Sequence, residues 1–153
     1  MKGEILRNMS RANVEVVQRW TEAYNRRDVD GLIALTDPDF EFRSIFVAIE
    51  RVFRGYEGIR AYFKELDDAY ARFEAVPSEY IDAGAAVLWT GFFAWRGKES
   101  GAEGTHEVAP AVWLRAGKVF RIESFTDRAQ ALEAVGLGDE EARAASYPAG
   151  GFG

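Results

Sequence analysis

At 153 residues the chain has room for one domain with one substantial core. With 48% hydrophobic and 29% charged residues it is too apolar to stay disordered, and 15 Gly with 4 Pro are too few for a low-complexity or collagen-like polymer. A net charge of -6 repels phosphate backbones and anionic lipid heads, so nucleic acid and membranes are not expected partners; the lack of cysteine removes disulfides, thiolate metal sites and cysteine nucleophiles together.

Ser10 is a candidate N-cap for a first helix whose apolar positions Val16, Val17, Trp20, Ala23 and Tyr24 follow one helical face. Asn25-Arg26-Arg27 breaks that pattern. Asp28 then caps a short second helix carrying Leu32, Ile33 and Leu35, closed by Asp37-Pro38-Asp39. Phe40, Phe42, Ser44 and Phe46 alternate with Glu41, Arg43 and Ile45, the period of a strand. Beyond Arg54-Gly55 a long stripe of Ile59, Tyr62, Phe63, Leu66, Tyr70 and Phe73 predicts a third helix ending before Pro77. Strands follow at 74–82, 86–96, 104–115 and 118–126, joined by short connections that favour antiparallel pairing. A last short helix spans 129–135 and stops at Gly136, and the Gly/Ala-rich remainder reads as loose chain.

Helices first and consecutive strands afterwards predict an α+β domain with three helices on one face of a curved antiparallel sheet. The expected organisation is an N-terminal extension at 1–9, a domain at 10–137 and a flexible tail at 138–153. The opening residues carry no apolar leader core. The longest uncharged run, 83–95, is also shorter than the roughly 18 residues of a spanning helix, so a soluble, cytoplasmic protein is expected.

Common chemical motifs fail. Gly97-Lys98 is followed by Glu99 and lacks the upstream glycine of a phosphate loop. Asp28-Val29-Asp30-Gly31 resembles part of a calcium loop, but Leu32 occupies a ligand position and the closing Glu is missing, which leaves a helix cap. One histidine without cysteine makes a zinc site improbable, and no GxSxG elbow supports a serine triad. No metal or cofactor is expected.

Val16-Val17-Gln18-Arg19-Trp20, Ala23, Asn25, Asp28, Asp30-Gly31 and Ala34-Leu35 resemble the opening of the ketosteroid isomerase and SnoaL-like group of the nuclear transport factor 2-like superfamily. The resemblance continues through Arg54-Gly55, Ile59-Arg60, Val108-Ala109-Pro110 and Gly117-Lys118-Val119. It ends at Phe125-Thr126-Asp127-Arg128 with Ala131-Leu132-Glu133-Ala134-Val135-Gly136-Leu137. It covers residues 10 to 137 and implies a conical α+β barrel, cystatin-like in its sheet, with a deep apolar pocket and commonly a dimer. It is specific for fold and weak for activity, because isomerases, cyclases, dehydratases, epoxide hydrolases and non-catalytic binders share the scaffold.

Carried over residue by residue, the resemblance removes the isomerase chemistry. The oxyanion-hole Tyr position matches Trp20, the proton-shuttling Asp position matches Ser44, and the oxyanion-hole Asp position matches Val112. For the SnoaL-like cyclases, Ser124 stands near the catalytic Asp and His106 one strand earlier. His106 is therefore the candidate acid or base, since its side chain alone titrates near neutrality; the plainer reading is a strand histidine bonded to its neighbours. Strand parity places His106 inward if Val112 is inward, desolvated among Trp89, Phe93 and Ile122. A bulge at Pro110 would present Glu107 instead.

Trp89, Phe93 and Trp95 share a strand face, with Gly91 making room between them, and serve either as pocket walls or as plain core. Tyr24, Phe42, Tyr56 and Ile122 complete the implied pocket with Trp20, Ser44, Val112 and Ser124. Tyr56 and Tyr62 open the third helix, with helix packing as the default for both and the pocket mouth as the alternative. Arg43, Arg121 and Glu123 invite comparison with epoxide hydrolase chemistry but fit outer-face ion pairs better. Two functions follow: a binder of a small apolar molecule whose isomerase residues are not retained, or a cofactor-independent isomerase, cyclase or dehydratase on a polyketide- or terpenoid-like substrate with His106 as acid or base. Large apolar residues on both faces of one strand, Leu88 and Phe92 against Trp89 and Phe93, add the expectation of a homodimer.

Overall fold

The computed structural model describes residues 2–44 and 51–149. Helix α1 runs Lys2–Asn25 and buries Val14, Val17, Ala23 and Tyr24. Ser10 lies inside it and does not cap it. Arg27 turns the chain in the left-handed region at φ 57°, and the Asp28 carboxylate accepts from the Gly31 amide to cap α2, Val29–Ala34, as the sequence predicts. Strand β1 spans Thr36–Ser44, so Asp37-Pro38-Asp39 lies inside it. Pro38 is tolerated there because the register between β1 and its neighbour shifts over 36–41. The predicted strand residues Ile45 and Phe46 fall outside the described residues.

A four-residue strand, β2 at Arg51–Arg54, leads into α3 at Gly55–Ala69. This third helix is shorter than its stripe suggested. Tyr70 and Phe73 continue the helical spacing, yet Tyr70 already has extended backbone and opens β3, Tyr70–Asp82, because pairing with the next strand starts there. The remaining elements are β4 (Ala86–Gly97), β5 (Glu103–Arg115), β6 (Lys118–Phe125), α4 (Arg128–Val135), α5 (Asp139–Ala144) and β7 (Ser146–Pro148). No helix among the described residues is long and apolar enough to cross a membrane.

The sheet order is β2-β1-β6-β5-β4-β3-β7, antiparallel throughout except for the parallel β1–β6 pair, and it stays open rather than closing into a barrel. Bulges at Pro77/Glu79 and Trp113/Leu114 curve it. Gly91 belongs to this curvature. A Cβ there would stand 2.2 Å from the Val76 carbonyl oxygen, so the glycine admits the β3 backbone and not, as its spacing suggested, a ligand. On the concave face Val87, Trp89, Phe93, Val108, Val112 and Ile122 pack with α1 and α3.

The convex face carries a second core. Ile81, Leu88, Ala109 and Ala111 are covered by Ala131 and Leu132 of α4 and by Ala142 of α5. Residues 139–149 are thus not loose chain: Ala142 is fully buried and β7 pairs with Glu79, Tyr80 and Ile81. They also finish the outer edge of β3. Along that edge Phe73 O accepts from Arg27 Nη2 at 3.0 Å, and Ala75 bonds through both backbone groups to the Asn25 amide at 2.9 and 2.8 Å. Ser78 O accepts from Ala149 N and Asp82 N donates to Ala145 O, both at 3.0 Å. An edge otherwise open to other chains is consumed within the molecule.

A chain ending at Gly138 is expected to lose about 3 kcal/mol, from several edge hydrogen bonds at about 1 kcal/mol each. At about 2–4 °C per kcal/mol for a domain of this size, calorimetry should show a melting temperature lower by about 6–12 °C. A drop under about 2 °C would mean the tail lies outside the cooperative unit.

Candidate functional site

Residues on four strands meet in rows on the concave face. Val87 pairs with Val112, Val112 with Ile122, and Ile122 with Phe42, so one row of apolar side chains crosses four strands. The β4–β5 register runs without a shift from Ala86↔Trp113 to Arg96↔Glu103, which excludes the Pro110 bulge and turns Val112, Pro110 and Val108 inward. Above these rows lie Val17, Trp20, Thr21 and Tyr24 of α1 and Tyr62 of α3. Together with Ala75, Trp89, Phe93 and Ser124 they enclose an apolar cavity of about 30 Å³, the volume open to the centre of a water molecule. That is room for about two waters.

The polar groups of this cavity are neutral. The Tyr24 and Tyr62 hydroxyls share a hydrogen bond of 2.6 Å, and Tyr62 is hydrogen-bonded also to Ser44, which is fully buried. Burial pushes both phenols above the ordinary tyrosine range; the neighbouring phenol adds to the rise of Tyr24, while for Tyr62 the bonds to Tyr24 and Ser44 oppose it. Arg27, 5.5 Å from the Tyr24 ring centroid, pulls both down without reversing the outcome. Trp20 donates its indole N–H to Thr36 Oγ1 at 3.1 Å, and Thr36 in turn donates to Leu32 O at 2.6 Å. The one donor that stands at the oxyanion Tyr position is thereby spent away from the cavity.

The family match covers residues 17–124 and is to the SnoaL-like domain. The chain belongs to the SnoaL-like family. Solved structures with the same fold include a nuclear transport factor 2-like protein of unknown function from Burkholderia pseudomallei K96243, 19% identical over 82% of this chain and 98% of that one, TM-score 0.69. TerC, co-crystallized with polyporic acid, is 20% identical over 82% of this chain and 99% of its own, TM-score 0.68. A putative SnoaL-like polyketide cyclase from Shewanella denitrificans OS-217 is 13% identical over 80% and 94%, TM-score 0.65. No curated protein matches the chain.

Against the family's catalytic positions, the SnoaL-like domain here places Trp20 and Val112 in the cavity wall and Ser44 just behind it. Tyr24, Phe42, Trp89, Phe93, Ile122 and Ser124 line the cavity. Besides Ser44, three expected residues do not. Tyr56 donates its hydroxyl to Thr36 O at 3.0 Å and pins the start of α3 to β1. Trp95 lies further along β4, edge-on to Tyr70 at 6.1 Å. His106 has the inward parity of its partner Phe93 but is exposed, not desolvated among Trp89, Phe93 and Ile122. The reason is strand length: β6 ends at Phe125 opposite Ala109, so residues 103–108 of β5 extend past it. Glu107 faces the opposite way, beside Phe92.

Arg121 pairs with Glu123 at 3.0 Å and stacks its guanidinium 4.8 Å from the Trp113 ring, on the face opposite Ile122. The outer-face reading holds. Tyr62, for which helix packing is the default and the pocket the alternative, lines the cavity; a phenol inside an otherwise apolar helical stripe is the signal that a buried partner exists.

Tyr62→Phe removes a partner from both Tyr24 and Ser44 and should destabilise the fold by about 1–3 kcal/mol, with Tyr24→Phe/Tyr62→Phe costing less than the sum of the single changes. The pH dependence has a definite sign. Native phenols held above the unfolded value, near 10, give stability that is intact below about pH 10 and lost as the pH climbs beyond it. Urea midpoints should fall between pH 9 and 11 more steeply in the wild type than in the double Phe variant; equal slopes would contradict the assignment.

Proposed function

We propose that this chain is a SnoaL-like binder of a small apolar molecule in which the ketosteroid isomerase catalytic residues are not retained. The observation that carries the reading is the chemistry of the cavity wall. Its thirteen lining residues include aromatic and aliphatic side chains, two bonded phenols and small hydroxyls, and no carboxylate, ammonium, guanidinium or imidazole. An isomerase or cyclase needs a group that exchanges a proton near neutrality at the reacting atom. With His106 outside the cavity, proton transfer through it has no geometric support. TerC, which shares the fold, was co-crystallized with a small organic molecule, polyporic acid, and this supports the reading.

A homodimer belongs to the same reading. Leu88 is covered by α4 and α5, so pairing would use what those helices leave open beside it, where Phe92, Trp113 and Phe125 are half-buried. Light scattering at micromolar concentration should then give twice the 17.1 kDa chain mass, and a 17 kDa particle would remove the proposal.

Native mass spectrometry of the purified protein is the direct test of binding, with a small apolar molecule expected to co-purify. In the same preparation a 5-ene-3-ketosteroid should not isomerise measurably, because loss of one oxyanion donor alone costs about a hundredfold or more in rate. Turnover near once per second, at about the level of ordinary enzymes, would overturn the binder in favour of an enzyme.

A further inference from the structure

The polar residues around the cavity fall into two sets. Trp20, Thr21, Tyr24 and Tyr62 spend their donors on backbone carbonyls or on other hydroxyls. Trp89 and Ser124 differ: among the described residues neither the Trp89 indole N–H nor the Ser124 hydroxyl has a hydrogen-bond partner, although the residues are only 5% and 8% exposed. No fully enclosed side-chain nitrogen or oxygen among the described residues lacks a partner, so these two atoms touch open space. Both residues line the cavity. A donor without a protein partner beside an apolar cavity is served by an occupant that accepts its hydrogen bond.

The sheet places them as a pair. Pro110 pairs with Ser124, and the unbroken β4–β5 register sets Trp89 opposite Pro110. Three adjacent strands therefore offer a donor, a proline without an N–H, and a second donor in one inward row. The outer two are about 10 Å apart at the backbone, from the ordinary spacing of two strand separations. A flat ring laid on Pro110 brings its rim within reach of both.

The row has no counter-charge. No lining residue is charged, and the nearby cation, Arg27, is committed to the Tyr24 and Phe73 carbonyls and to Asp67. An anion or ammonium entering here would lose its hydration without compensation.

We propose that Trp89 and Ser124 form a polar subsite of this cavity, which takes an uncharged planar molecule bearing a ketone-type acceptor oxygen and rejects the corresponding carboxylate. The inference rests on the reading of the cavity as a ligand pocket. The cavity at about 30 Å³ is smaller than any ring compound, so a wall side chain must move on entry. Of the two tryptophans in the wall, Trp89 has the less tied side chain: its indole has no hydrogen bond and meets Phe93 edge-on at 5.7 Å, whereas Trp20 is tied to Thr36 and stacked on Tyr24 at 5.8 Å.

The test uses the full chain, uniformly ¹⁵N-labelled, whose four tryptophans give separate indole N–H signals. The probes are 2-acetonaphthone, the similarly sized hydrocarbon 2-ethylnaphthalene, and 2-naphthoate at pH 7. The ketone should move the Trp89 indole signal downfield and bind about five- to tenfold more tightly than the hydrocarbon, the value of one or two modest hydrogen bonds. The naphthoate should bind at least about a hundredfold more weakly than the ketone. Trp89→Phe and Ser124→Ala should each bring the ketone-to-hydrocarbon ratio toward one, with melting temperature as the check on folding. Where a variant does not fold, the wild-type ratio and the Trp89 signal carry the test. Equal binding of ketone and hydrocarbon, or naphthoate bound as tightly as ketone, overturns the subsite and leaves the pocket standing. Failure of all three probes to bind removes the pocket and the subsite together.

Discussion

A buried hydroxyl must be bonded, and two of them on different helices can satisfy each other only if the helices stay a set distance apart. The 2.6 Å bond between Tyr24 and Tyr62 is that constraint in this molecule. It holds α1 to α3 over the concave face, and Ser44 extends it into β1 through Tyr62. Around it the rings of Phe63, Phe42 and Phe53 lie within 4.8–5.4 Å of one or other phenol, so the polar link sits inside an aromatic cluster. Water cannot substitute freely for either partner there. The helices are thereby spaced over the sheet, and the residual gap between them is the cavity.

The sheet supplies the other half of the geometry. Bulges bend it, and Gly91 lets β3 approach β4 closely at the bend. A curved sheet needs cover on two sides. The concave side receives α1 and α3, and the convex side receives α4 and α5, which bury Leu88 and Ile81. The exposed edge of β3 is closed by unlike devices in succession: a guanidinium, a side-chain amide imitating a strand, and a three-residue strand from the C-terminus. The scaffold is therefore stable with no carboxylate, ammonium, guanidinium or imidazole in its interior cavity. Family membership consequently says little about chemistry, because function lives in the site and not in the scaffold that carries it.

Much of the architecture is legible in the residues alone. Val17 and Tyr24 on one helical face, Asp28 as a cap, the alternation around Trp89 and Phe93, and Gly136 in its left-handed stop at φ 76° all express local rules, and each element forms where its pattern lies. With Val112 set inward by the family resemblance, strand parity also carried the inward direction of Pro110 and Val108. These properties depend on neighbours a few positions away, which a sequence displays directly.

Tertiary structure decided what depends on where elements end and on what lies across from them. Tyr70 and Phe73 have helical spacing but join a strand because pairing with Trp95 and Gly97 begins there, and no local signal encodes that competition. His106 has the right parity and the wrong height: only the relative lengths of β5 and β6 leave it outside the cavity. The tail, Gly- and Ala-rich, reads as loose because small residues carry little hydrophobic signal, yet Ala142 fits against Leu88 because it is small. Trp20 keeps its donor, but the direction of that donor is set by Thr36, sixteen residues away. A sequence specifies which groups are available, and the assembled chain settles which of them remain free to meet a ligand.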